Sequence, residues 1–260
     1  MRYFSFLIML SALLMTACGK PVDDQTDKEP SVSTKTDGLV LLEKLWAETT
    51  PFDVSKTRLD IFDKIQGYAD GHTSTAFKYM LDYNADKYSL TVKYDNILSC
   101  YDAAFEKILD GLMTKKPANG EVYIWMLYNM GYVVQTPSMA FAIDVYHYRA
   151  AELEPYIDFY ASTHIHSDHK SEALMELMYD KGKPVITNFY EPEKNYEYYS
   201  TETKDYKIKN STLHTFITRH NNSSTNVPVT VFQIDCGGDT GNFVMMHSGD
   251  SNFIASEYSV

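Results

Sequence analysis

A chain of 260 residues with 44% hydrophobic side chains carries enough apolar material for one large domain or two small ones. Its formal charge of −12 argues against the basic stripe that displaces counterions from nucleic acid, so no DNA or RNA partner is expected.

The N-terminus reads MRYFSFLIMLSALLMTACGK, in which Arg2 precedes an apolar run from Tyr3 to Ala17 and small residues precede Cys18. The run is too short to span a bilayer comfortably and has the layout of a secretion signal. Its MTAC ending resembles a bacterial lipoprotein signal, which implies lipid attachment at Cys18 and an exported, membrane-anchored protein, periplasmic or at the cell surface. The expected organisation is then a lipoprotein signal over 1–18, a disordered tether over 19–37 and a helical region over 38–117. A larger domain follows over 118–260. The tether is expected from GKPVDDQTDKEPSVSTKTD, which has almost no apolar content.

Within the helical region, YDNILSCYDAAFEKILDGL places Ile97, Tyr101, Ala104, Phe105, Ile108 and Leu112 on one helical face, with Asn96 suited to cap it. Beyond KKPANGE the pattern changes to short apolar strands: VYIWML, GYVVQT, MAFAIDV and IDFYAST. A helix is expected over SEALMELMYDKG, with Leu174, Met175, Leu177 and Met178 inward and Gly182 as its stop, followed by a strand at KPVITNF. Residues 190–212 are polar and Tyr-rich and read as an insertion or lid with one hairpin. LHTFITRH, VPVTVFQIDC and NFVMMHSGD then return to strands. Cys100 and Cys236 could pair in an oxidising compartment or could each be buried as small apolar residues.

Between the fourth strand and the helix lies THIHSDHK, which holds three of the eight histidines of the chain. His164 and His166 are two apart at a strand end, so their imidazoles can point the same way, and the loop beyond can bring in Asp168 and His169. Nitrogen and carboxylate donors in this combination suit zinc or a similar divalent ion.

Thr163 to His169 resembles the T-H-x-H-x-D-H signature of the metallo-β-lactamase fold family. VYIWMLYNMGYVVQTPSMAFAIDV resembles the opening hairpins of that family, with Asp144 ending a strand, and HSGDS resembles its Gly-Asp motif. The lactonase-like branch is the nearest in flavour. The resemblance implies an α/β fold, an αββα sandwich with a helical N-terminal extension. It also implies a hydrolase with one or two divalent metal ions, zinc by preference. His164 and His166 would hold the first ion, Asp168 and His169 the second, and Asp250 would bridge the two. His220 is the expected third histidine of the first ion, with His214 in the same strand as the alternative. His247 reads as a supporting or packing residue, and His72 and His147 as ordinary surface or core histidines. The family also has a further histidine and closing elements after the Gly-Asp motif, so the chain is read as incomplete at its C-terminus.

The activity so implied is attack by a metal-bound hydroxide, oriented by Asp168 as the catalytic carboxylate, on a small-molecule ester, lactone, amide or phosphoester. The competing expectation is a non-catalytic surface or binding lipoprotein that keeps the fold with a degenerate second site.

Overall fold

The computed structural model describes residues 35–71, 95–190, 196–222 and 226–258. The signal, its Cys18, most of the tether, His72 and part of the Tyr-rich insertion lie outside them. The chain folds as mixed α/β with two sheets and flanking helices, as expected. Among the described residues three helices come first: α1 over Asp37–Glu48, α2 over Lys56–Gly71 and α3 over Asn96–Thr114.

The cap of α3 is Asp95 rather than Asn96: the Asp95 carboxylate accepts from the backbone N–H groups of Ile97 and Leu98, both at 2.8 Å. Asn96 has a different task, since its side-chain oxygen accepts from Gly38 N at 2.8 Å and so ties α1 to α3. The inward face of α3 is also turned slightly from the expected one. Leu98, Tyr101, Phe105, Ile108, Leu109 and Leu112 are buried, whereas Ile97 and Ala104 are only half-buried. The helix passes Trp125 at Gly111, where an added Cβ would stand 2.5 Å from the Trp125 ring.

The first sheet has strands β1 (Tyr123–Met126), β2 (Tyr132–Gln135), β3 (Ala140–Ile143), β4 (Phe159–Ala161) and β5 (Val185–Ile186) in that spatial order. The first two pairings are antiparallel and the last two parallel. Helix α4 (Glu172–Asp180) makes the crossover between β4 and β5. Ser171 caps α4 by accepting from Leu174 N, and Gly182 follows at a φ of 69°. Leu174, Met175 and Met178 are buried as expected, while Leu177 is half-buried.

Both faces of β2 to β5 are covered, so these strands are apolar at successive positions and the period of two sorts them between two cores, whereas the edge strand β1 leaves Ile124 and Met126 exposed. Val133, Ala142, Tyr160 and Val185 face α3 and α4. Val134, Phe141, Ile143, Phe159, Ala161 and Ile186 face the second sheet.

That sheet is an antiparallel meander of β6 (Lys204–Ile208), β7 (Ser211–Arg219), β8 (Pro228–Asp235) and β9 (Val244–His247). It contributes Tyr206, Ile208, Leu213, Phe232 and Ile234 to the inter-sheet core. Strand β6 is the first arm of the hairpin expected in the Tyr-rich insertion, with Tyr206 and Ile208 inward between exposed Asp205 and Lys207. On the outer side, α5 (Ala255–Tyr258) lays Tyr258 edge-on to Phe216, with ring centroids 5.2 Å apart. Each large side chain fully buried between the sheets contributes about 1.5–3 kcal/mol. The two cysteines left open by the sequence are both free: Cys236 is buried in the inter-sheet core and Cys100 sits half-buried on α3.

Candidate metal centre

Parallel strands bring their C-terminal ends to one edge of a sheet, and the loops beyond them form a crevice there. Asp144 directly follows β3, the Ser162–His169 segment follows β4, and Thr187 and Asn188 follow β5. The cluster therefore begins just past a strand end: β4 stops at Ala161, and Ser167–His169 form one turn of 3₁₀ helix.

Asp144 is the hub of this edge. It is fully buried at a φ of 48°. Its Oδ1 accepts from Thr163 N at 2.7 Å, and its Oδ2 accepts from Thr163 Oγ1 at 2.7 Å. The same Oδ2 is 2.9 Å from His169 Nδ1 and 3.0 Å from His247 Nε2. Burial pushes the carboxyl pKa up, but the hydrogen bonds from His169 and His247 outweigh it and hold the group well below the usual carboxylate range.

This hub also sets tautomers. With Asp144 ionised, His169 donates through Nδ1, which leaves the lone pair of Nε2 pointing outward. The Thr163 hydroxyl spends its proton on Asp144, so its oxygen accepts from His164 Nδ1 at 3.0 Å, and His164 Nε2 is likewise left open.

The open nitrogens converge. His164 Nε2 is 3.0 Å from His166 Nδ1, and one donor atom each from His164, His166, His220 and Asp250 lies within 4.8 Å of all the others. His220 follows β7, and its bridge to Ser251 holds it beside the segment that carries Asp250. Its Nδ1 accepts from Asn222 N at 3.0 Å, while its buried Nε2 has no hydrogen-bond partner and faces Asp250 Oδ2 at 3.3 Å. Asp250 reaches the other way with Oδ1, 3.5 Å from His169 Nε2, and Asp168 Oδ2 stands 3.8 Å from that nitrogen. The Asp250 carboxylate thus lies between His220 on one side and His169 on the other.

Rings this close cannot all be protonated. The His164 ring centroid is 4.5 Å from that of His166, 4.2 Å from His169 and 5.0 Å from His220. Burial, then the neighbouring His169, lowers the His164 pKa to about 3, so it is a neutral donor at pH 7. Burial lowers His169 too, but the Asp144 hydrogen bond and the surrounding carboxylates reverse this and its pKa is raised.

Gly249 makes the approach of the second sheet possible. Its φ is 50°, and an added Cβ would stand 2.5 Å from Thr163 Oγ1. From the other side Thr163 O accepts from Thr230 N at 2.8 Å and from Asn188 Nδ2 at 3.2 Å.

Among the described residues, the other histidines have different partners. His214, the alternative ligand, lies outside the cluster and pairs with Asp205 at 2.6 Å. His247 supports Asp144, and His147 is a core residue stacked on Phe105.

One contact has no counterpart in the sequence reading. Asn129, in the β1–β2 turn at a φ of 60°, directs Nδ2 to Asp168 Oδ2 at 3.0 Å and to His169 Nε2 at 3.1 Å. Its only signal was a turn, YNMG, that favours a left-handed Asn. Beside the centre, Arg219, His220, Asn221, Asn252, Ile254 and Glu257 line a cavity of about 920 Å³.

No family model matches the chain, and no curated protein does. Among solved structures it is similar to the metallo-β-lactamase fold protein YhfI from Bacillus subtilis, at 15% identity and a TM-score of 0.36, over 48% of this chain and 56% of that one. It is also similar to a Cronobacter sakazakii metallo-β-lactamase with a HARLDQ motif, at 14% identity and a TM-score of 0.35, over 51% of this chain and 62% of that one. A third is a B3 metallo-β-lactamase with an active-site glutamic acid, at 15% identity and a TM-score of 0.34, over 55% of this chain and 65% of that one. The chain spans less than two thirds of the length of each.

Proposed function

We propose that the protein is a metal-dependent hydrolase of small molecules, an ester, lactone, amide or phosphoester being the substrate class, exported and held at a membrane through Cys18. The observation that carries the catalytic part is the convergence of His164, His166, His220 and Asp250 within 4.8 Å, around a buried His220 Nε2 that has no partner. A donor set of three imidazoles and one carboxylate fits a zinc-like divalent ion. At Nε2 such an ion leaves the proton of His220 on Nδ1, so the contact given up is the one from Asn222 N.

When bound, a divalent ion supplies Lewis acidity and lowers the pKa of water from 15.7 to about 7. The residues of the chain do the rest. Asp144 fixes the His164 and His169 tautomers, and Asp168, partly exposed at the rim, would orient or deprotonate an attacking water in this reading. The cavity beside His220 supplies room for the substrate.

The test measures zinc content and turnover of p-nitrophenyl esters and simple lactones in wild type, His220→Ala and His214→Ala. We expect His220→Ala to lose bound zinc and at least about a hundredfold in turnover, with His214→Ala retaining both. Equal zinc content in wild type and His220→Ala would remove the reading. For the anchor, Cys18→Ser is expected to move the protein from the membrane to the soluble fraction, and continued sedimentation with membranes would refute lipidation at that position.

A further inference from the structure

The two groups of donors around Asp250 differ in what already occupies them. In the first group His220 Nε2 has no protein hydrogen-bond partner and His164 Nε2 meets only His166 Nδ1, itself a member of the group, at 3.0 Å. In the second, Asp168 Oδ2 and His169 Nε2 both accept from the Asn129 amide nitrogen, which lies outside the donor set, at 3.0 and 3.1 Å. The orientation of that amide is fixed by its neighbours. Asp144 accepts from His169 Nδ1, so in the neutral ring Nε2 is an acceptor, as is the Asp168 carboxylate, and only the nitrogen end of an amide satisfies both.

The lone pair of an imidazole nitrogen serves one partner at a time, either an N–H or a cation. From this, and resting on the reading of the cluster as a divalent-metal centre, we propose that Asn129 governs how many ions the protein holds. One ion binds among His164, His166, His220 and Asp250 without displacing the amide. A second, at Asp168, His169 and Asp250, binds only when Asn129 swings away and gives up two hydrogen bonds, one of them to a carboxylate. Hydrogen bonds to charged groups are strong enough for that exchange to weaken the second ion about tenfold or more.

The position suits a movable side chain. Asn129 sits on a two-strand turn whose closure comes from the backbone, Leu127 N donating to Gly131 O at 2.8 Å, so the amide can leave without opening the hairpin.

The test is stepwise zinc binding to the full chain, by titration calorimetry with metal analysis after dialysis, in wild type, Asn129→Gly and Asn129→Asp. Glycine removes the competing amide and accepts the left-handed φ; aspartate keeps size and backbone preference and offers a carboxylate in place of the donor. The expected result is a second-ion Kd at least about tenfold tighter in Asn129→Gly and tighter again in Asn129→Asp, with the first-ion Kd within about twofold of wild type. A second-ion Kd that is unchanged or weakened in both variants overturns the role of Asn129 while leaving the metal centre standing. A wild type that takes up no zinc overturns both.

Discussion

His164 and His147 are both buried imidazoles whose pKa burial lowers to about 3, yet their surroundings give them different roles. His147 lies between α3 and the first sheet, with its ring stacked on Phe105 at 4.1 Å and on Tyr148 at 4.8 Å. Its Nδ1 accepts from Arg149 N at 3.1 Å, and its Nε2 is buried without a partner, 4.0 Å from Asp102. Around it are the rings of Tyr101, Phe105 and Tyr148, the Asp102 carboxylate and the Arg149 charge, which lowers its pKa further. Around His164 are two further imidazole nitrogens and the Asp250 carboxylate within 4.8 Å. An unprotonated, desolvated ring is therefore common to both regions and distinguishes neither. What separates a candidate ligand from a packing residue is a proton fixed on the rear nitrogen and several donors facing the front one.

The sharpest way to break this contrast is to remove what fixes the rear nitrogens. Asp144→Asn keeps the side-chain shape but loses the charge and presents an amide where Thr163, His169 and His247 all donate. Removing one side of a buried charged network costs about 3–5 kcal/mol, and urea denaturation at pH 7 should show a loss of that size together with weaker zinc uptake. A variant as stable as wild type would mean that the hub does not hold the cluster.

A smaller effect sharpens the contrast from the His147 side. Its folded pKa, about 3, lies below the ordinary 6.5, so the unfolded chain gains a proton that the folded one refuses. The resulting loss of stability is absent above pH 6.5 and grows as pH falls toward 3. In His147→Phe, which keeps the stacked ring, the drop in unfolding free energy between pH 7 and pH 5 should be smaller than in wild type by about 2 kcal/mol. The same drop in both proteins would show that His147 does not titrate in this way.

Much of this arrangement was legible in the chain. THIHSDH stands out because ligand-type residues are dense there, and β1 to β5 because apolar runs are separated by turn residues. His220 and Asp250 required the family resemblance, since nothing local in TRHNN or HSGDS says that the two segments meet.

Other features were hidden for physical reasons. Asp144 looks like any strand-ending aspartate until two sheets close over it. Asn129 acts through a contact spanning 39 positions. Asp95 and Asn96 are adjacent acceptors of equal capping skill, and the choice between them was made by Gly38, which claims Asn96. The hairpin of the Tyr-rich insertion was expected without bounds, because KDYKI, which forms its first arm β6, sets only two inward residues among charges.

The bond between His247 and Asp144 joins positions 103 apart in sequence. A link of that span forms late, because the intervening chain must surrender its loop entropy before the contact gives anything back. The donors near it come from both sheets, so a nascent chain carrying only THIHSDH offers a cation a partial and weak grip. Complete chelation would then report that the sheets have docked, which makes zinc uptake during refolding a clock for the last stage of assembly.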